Sequence, residues 1–142
     1  MNQNHHWVIF ALASAGFAAA TAIFGKLGVN ALNSNLATLI RTLVILVMIV
    51  IVVSIRREWQ PLNALSPYAI GMLVISALAT GASWLCYYYA LKWGPASRVA
   101  PLDKLSVVLV IVASILFLKE PLTWKVALGG ALVAAGVVIL AL

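Results

Sequence analysis

The chain alternates five long apolar runs with short polar or turn-forming breaks. The runs cover residues 7–27, 36–55, 68–91, 97–118 and 124–142. Each comes close to the ~20 residues an α-helix needs to cross a ~30 Å hydrocarbon layer. The breaks are Gly28 with Asn30 to Asn35, Arg56-Arg57-Glu58 through Ser66-Pro67, Gly94-Pro95, and Lys119-Glu120-Pro121. Thr123 is placed to cap the fifth helix. Pro101 falls in the first turns of the fourth, where its missing amide hydrogen costs little. The pattern predicts an all-α membrane protein, a bundle of five transmembrane helices in one domain spanning 1–142.

Within the runs, a few residues depart from plain Leu, Ile and Val. Helix one carries Ala11, Ala15 and Ala19 at four-residue spacing with Gly16 and Ala20 beside them, which lets backbones approach closely in lipid and predicts a central helix packed on several sides. Ser14 and Thr21 either line a cavity or bond back to their own helix. The second half of helix two, Leu43 to Val53, offers no small or polar face and is expected to meet lipid. Its exception is Arg41, ~7.5 Å along the axis from Leu36, which either snorkels to headgroups or turns inward to hold an anion. Helix three ends in Trp84, Tyr87, Tyr88 and Tyr89, followed by Trp93. The cluster is either an interfacial aromatic belt or, since Gly81, Trp84, Tyr88 and Leu91 share a face, one wall of a cavity.

Composition sharpens this picture. At 65% hydrophobic and 8% charged residues, the chain lacks the polar inventory of a soluble domain, in which roughly a quarter of residues are charged. The net charge of +6 is scattered one or two residues per loop, which excludes a nucleic-acid surface and suits topology determinants in contact with lipid headgroups. One cysteine, Cys86, leaves no intrachain disulfide or thiolate metal cage and reads as helix packing. His5 and His6 lie before helix one and read as a solvated pair; no metal site or cofactor is expected. Ala13-Ser14-Ala15 resembles a signal cleavage site, but only Val8 to Leu12 precede it as an apolar region and no Lys or Arg lies before them, so the first run is read as a retained helix.

Helices that alternate in direction sort the charges onto two sides. Lys26, Arg41, Lys92, Arg98, Asp103 and Lys104 share one side; Arg56, Arg57, Glu58, Lys119, Glu120 and Lys125 share the other. Five Lys and Arg against four barely choose an orientation. An odd helix count without an internal repeat points the same way, because many transporters place their substrate between two inverted repeats. A second copy in antiparallel orientation would supply the missing half. Helix five offers the seam: Gly129 and Gly136 fall within ~20° of one face, and Gly130 with Ala134 forms a small-xxx-small pair.

The stretch YYYALKWGPASRVAPLDKLSVVLVIVASILFLKEPLTWKVALGGALVAAGVVIL resembles the EamA domain of the drug/metabolite transporter superfamily, and the likeness covers Trp7 to Leu142. Its specific parts are the YALKWGPAS end of helix three, the Pro-Leu of early helix four and the Leu-Lys-Glu-Pro-Leu-Thr junction into helix five; the Gly25-Lys26 exit of helix one also fits. The resemblance implies a helical transporter that moves small metabolites by alternating access. Most members carry two such units, so this chain is similar to the single-unit bacterial and archaeal branch, which implies a cytoplasmic (inner) membrane location. Small multidrug resistance proteins are similar in plan but place a carboxylate inside helix one, where this chain has none.

Three functions are then open. For a transporter, the expected cavity lies between helices one, three and four, with Asp103 and Lys104 at its mouth, Arg41 and Lys26 reaching them, Trp84 and Tyr88 as aromatic wall and Ser14 as a lining group. Asp103 equally fits a structural pair with Lys104, Arg41 or Lys26, and Glu120 a structural charge near the start of helix five. The expected partners are the bilayer, a small-molecule substrate, and a second copy or a different five-helix unit. The alternative is a non-transporting scaffold or accessory subunit. An enzyme is the weakest reading, because no acid/base pair, metal cluster or activated nucleophile assembles from these residues.

Overall fold

The computed structural model describes residues 6–142, apart from the side chains of His6 and Leu62; His5 lies outside them. The elements are α1 (His6–Ala31), α2 (Ser34–Arg56), a 3-10 turn at Leu62–Ala64, α3 (Pro67–Trp93), α4 (Ala96–Asp103), α5 (Leu105–Phe117) and α6 (Trp124–Ala141), with no strand among the described residues. Among the described residues five spans are long and apolar enough to cross a membrane, with Ala96–Phe117 counted as one. The five crossings read from the sequence are therefore present, and the chain is a multi-pass membrane protein.

The ends of the helices differ from the sequence reading. His6 opens α1, and α1 runs through Gly28 to Ala31. A glycine in a helix interior costs about 1 kcal/mol relative to alanine, too little to end a helix that has Val29 fully buried just beyond it. The turn shrinks to Leu32 and Asn33, and the Asn33 side chain accepts from the Asn35 amide at 2.9 Å to cap α2. At its other end α2 closes in a Schellman motif: Glu58 N–H donates to Val53 O at 3.0 Å and Arg57 N–H to Ser54 O at 3.2 Å. That geometry puts Arg57 in the left-handed region, φ 56°, a place usually held by glycine.

The fourth span is not continuous. Pro101 cannot donate to the Ser97 carbonyl, and the backbone tightens after it, with Lys104 N–H donating to Pro101 O at 2.8 Å and Val107 N–H to Lys104 O at 3.0 Å. These three-residue bonds separate α4 from α5 at Lys104. The lost donor and the ring bear on the Ser97 carbonyl, one turn earlier; the break falls three residues past the proline, at Lys104. Thr123 does cap α6, its Oγ1 accepting from Val126 N–H at 3.3 Å.

The chain divides into two compact units. The first joins residues up to Phe24 with Trp93–Leu142. In it α4, α5 and α6 pack together, Val99 and Val137 are buried, and a Cβ on Gly130 would stand 3.1 Å from Ile111 Cδ1. Helix α1 is not central to the single chain: Ala11, Ala15 and Ala19 are exposed, as are Phe10, Leu12 and Phe17. The second unit, Gly25–Lys92, contains the end of α1 and the hairpin of α2 and α3. Most of α2 beyond Leu43 is exposed in the single chain, with Ile45 half-buried.

Candidate functional site

In the second unit two lysines tie helix ends together. Lys26 Nζ, on α1, donates to Leu91 O at 2.6 Å and lies 3.4 Å from Lys92 O, the last carbonyls of α3. Lys92 Nζ, on α3, donates to Leu32 O at 3.1 Å, just past the end of α1. The final carbonyls of a helix lack intrahelical partners and carry partial negative charge, so an ammonium both satisfies and neutralises them. Each helix thus caps the other. Between the lysines the packing is close: Val29 and Leu91 are fully buried, and Tyr88 is 4% exposed. A Cβ on Gly25 would stand 3.0 Å from Tyr88 Oη, so glycine is what allows the phenol to lie there.

Arg41 lies at the same end, in the second turn of α2. Its guanidinium lies 4.0 Å from the centroid of the Trp84 ring and 5.3 Å from that of Tyr88, which in turn meets Tyr87 edge-on at 6.0 Å. The Arg41 side chain thus lies over aromatic rings of the neighbouring helix, where the ring quadrupole attracts the cation. The aromatic cluster divides accordingly. Tyr88 is buried and Trp84 half-buried, while Tyr89 and Trp93 face outward as a belt would.

Below this stack α2 and α3 enclose a groove of about 700 Å³ lined by Thr38, Thr42, Ser76, Thr80, Trp84 and Leu85, together with Leu and Ile side chains. The hydroxyl hydrogens are already committed: Thr38 donates to Ser34 O at 2.9 Å, Thr42 to Thr38 O at 2.8 Å and Thr80 to Ser76 O at 2.9 Å. The threonines therefore offer lone pairs to anything in the groove. Sequence reasoning missed this threonine set, although Thr38 and Thr42 on one face, four residues apart, carried a signal for it.

The other candidates lie in the first unit. Asp103 and Lys104 pair with each other at 3.2 Å, Lys104 exposed and Asp103 half-buried, a structural pairing that the sequence already allowed. Ser14 is exposed on α1. Of the seam residues, Gly130 is buried against Ile111 of its own chain and does not present an open face, whereas a Cβ added to Gly129 or Gly136 would meet nothing within 4 Å; Ala134 is half-buried. Among the described residues no group of His, Cys, Asp and Glu could hold a metal ion.

Residues 5–142 match the EamA-like transporter family. The chain belongs to that family. It is also similar to a Sinorhizobium protein named as an uncharacterized transporter in the cobO 3′ region, with 51% identity over 139 residues, 98% of this chain and 99% of the relative. An uncharacterized protein of Methanocaldococcus jannaschii is 39% identical over 69 residues, about half of each chain at 49% and 50%. No solved structure matches. As an EamA-family protein with five helices among the described residues long and apolar enough to span a membrane, the chain is a membrane transporter.

Proposed function

We propose that this EamA-family protein carries a small organic solute across a bacterial or archaeal cytoplasmic membrane by alternating access, working as a dimer of five-helix units. The observation that carries the reading is the family match over residues 5–142 on a single set of five spans. Alternating access in repeat-built transporters needs two such sets moving against each other, and a second copy supplies the other. Near-equal basic charge on the two sides supports an antiparallel copy. Gly129 and Gly136, open in the single chain, are the seam residues that remain available for it.

The test is reconstitution of the purified protein in liposomes, with uptake measured for a panel of labelled carboxylates, amines and neutral solutes. Saturable uptake above protein-free liposomes is expected, together with crosslinking of Gly129→Cys in a Cys86→Ser background. Flux that requires a second, different five-helix protein would instead make this chain an accessory subunit.

A further inference from the structure

We infer that Arg41 and Trp84 form a binding site for the oxyanion of an amphipathic organic anion, a carboxylate or phosphate whose apolar body lies in the groove between α2 and α3. The inference deepens the transport reading by naming a ligand class, and it rests on that reading only for the ligand's onward passage.

Three observations converge on it. First, Arg41 has unmatched donors among the described residues. The ion pairs among the described residues are Arg56 with Glu58 and Lys104 with Asp103, and Arg41 takes part in neither. Its contacts are with the Trp84 and Tyr88 rings, and among the described residues no acceptor takes its N–H groups, five donors in a fixed fork. A half-buried cation with unmet donors is costly among apolar neighbours, and a carboxylate or phosphate, gripped by two parallel N–H bonds, is the partner its shape fits. The Trp84 ring, 4.0 Å from the guanidinium carbon, restrains the side chain, so less rotamer freedom is lost when an anion arrives.

Second, the local field favours an anion. Lys26, Arg41 and Lys92 gather at one end of the second unit. The one acid of Gly25–Lys92 is Glu58, at the opposite end of α2 and already paired at 3.5 Å. Third, Trp84 belongs to both features: its ring carries the guanidinium and also lines the groove. A molecule with its charged head on Arg41 would continue along Trp84 into a space walled by Leu, Ile and the threonine lone pairs, where a hydroxyl or amide of the ligand finds acceptors. The site therefore selects a charged head joined to an apolar body, and disfavours an organic cation.

The same chemistry could come from a soluble solute or from the headgroup of an anionic lipid, and the test separates them. Labelled octanoate binding is measured by equilibrium dialysis on the full-length protein in phosphatidylcholine nanodiscs, against octanamide and octylamine as neutral and cationic counterparts. In parallel, retention of phosphatidylglycerol from mixed-lipid micelles is read by native mass spectrometry. If solutes use the site, octanoate binds the wild type and Arg41→Gln weakens it about tenfold or more, the loss expected when a charged hydrogen-bonding partner is removed. If lipid uses it, Arg41→Gln reduces phosphatidylglycerol retention by a similar factor. Arg41→Lys, which keeps the charge and loses the fork and the stack, should retain part of the binding, and Trp84→Phe should weaken it less than Arg41→Gln. No loss of either ligand in a folded Arg41→Gln protein, or equal binding of octanoate and octanamide together with unchanged phosphatidylglycerol retention, would overturn the site. Because binding is read at equilibrium without flux, its failure leaves the transport reading standing, and absence of flux leaves the site standing.

Discussion

Replacing Lys26 by methionine tests the mutual capping of α1 and α3. Methionine keeps most of the aliphatic stem and removes the ammonium that donates to Leu91 O at 2.6 Å. Hydrogen bonds from charged donors contribute about 1.5–3 kcal/mol, and a carbonyl left unsatisfied in a buried place costs about 1–3 kcal/mol. Lysine loses up to ~2 kcal/mol of side-chain freedom when fixed, which offsets part of this. The second contact, 3.4 Å to Lys92 O, is too long to add much. Lys26→Met should therefore destabilise by about 1–2 kcal/mol. The converse bond, from Lys92 to Leu32 O at 3.1 Å, is exposed to solvent, so Lys92→Met should cost about 0.5 kcal/mol, near the low end for a net hydrogen bond. Both are read from unfolding in mixed dodecyl sulfate and maltoside micelles, followed by circular dichroism. A Lys92→Met penalty equal to that of Lys26→Met, or a Lys26→Met protein as stable as wild type, would refute the idea that the partly buried bond carries the clasp.

Other substitutions probe the packing that positions the site. Gly25→Ala should destabilise by about 1–3 kcal/mol through overpacking, since its Cβ would lie 3.0 Å from Tyr88 Oη and 3.3 Å from Cζ; Tyr88→Phe in the same chain should recover part of the loss, and the absence of recovery would sink the steric account. Gly130→Ala should cost under about 1 kcal/mol, because the atom it meets is the mobile end of Ile111 at 3.1 Å. A Cβ at Gly129 or Gly136 meets nothing within 4 Å, so if chain–chain crosslinking falls in Gly129→Leu and Gly136→Leu while unfolding is unchanged, they lie on a seam between copies; unchanged crosslinking would remove helix α6 from the interface. Arg57→Gly should raise stability by about 0.5–1 kcal/mol by relieving a left-handed non-glycine residue at φ 56°, measured in the same unfolding assay.

The five spans were legible because a bilayer imposes length and apolarity on every crossing, and both survive in composition. The ends were less so. Gly28 looks like a stop, yet burial of Val29 carries α1 onward. The partner of Arg41 could not be read from the chain: a helical wheel places Trp84 and Tyr88 on one face, but which residue of α2 meets that face depends on the register of the hairpin through residues 57–66. The lysine clasp was invisible for a different reason. Its acceptors are main-chain carbonyls, which every residue possesses, so no residue type at positions 32, 91 or 92 announces them. The pairing of Asp103 with Lys104 was open to reading because the partners are neighbours in sequence.

The break at Lys104 also has a mechanical side. Eight residues of α4 make a rod of about 12 Å and thirteen of α5 one of about 20 Å, joined at a point where the backbone has exchanged four-residue for three-residue bonds. A turn of ~10° at that joint displaces the far tip of α5 by roughly 3.5 Å, given its length. The acid and base at the joint belong to adjacent residues, so they travel with the pivot, and the lever can swing without pulling a carboxylate away from its ammonium.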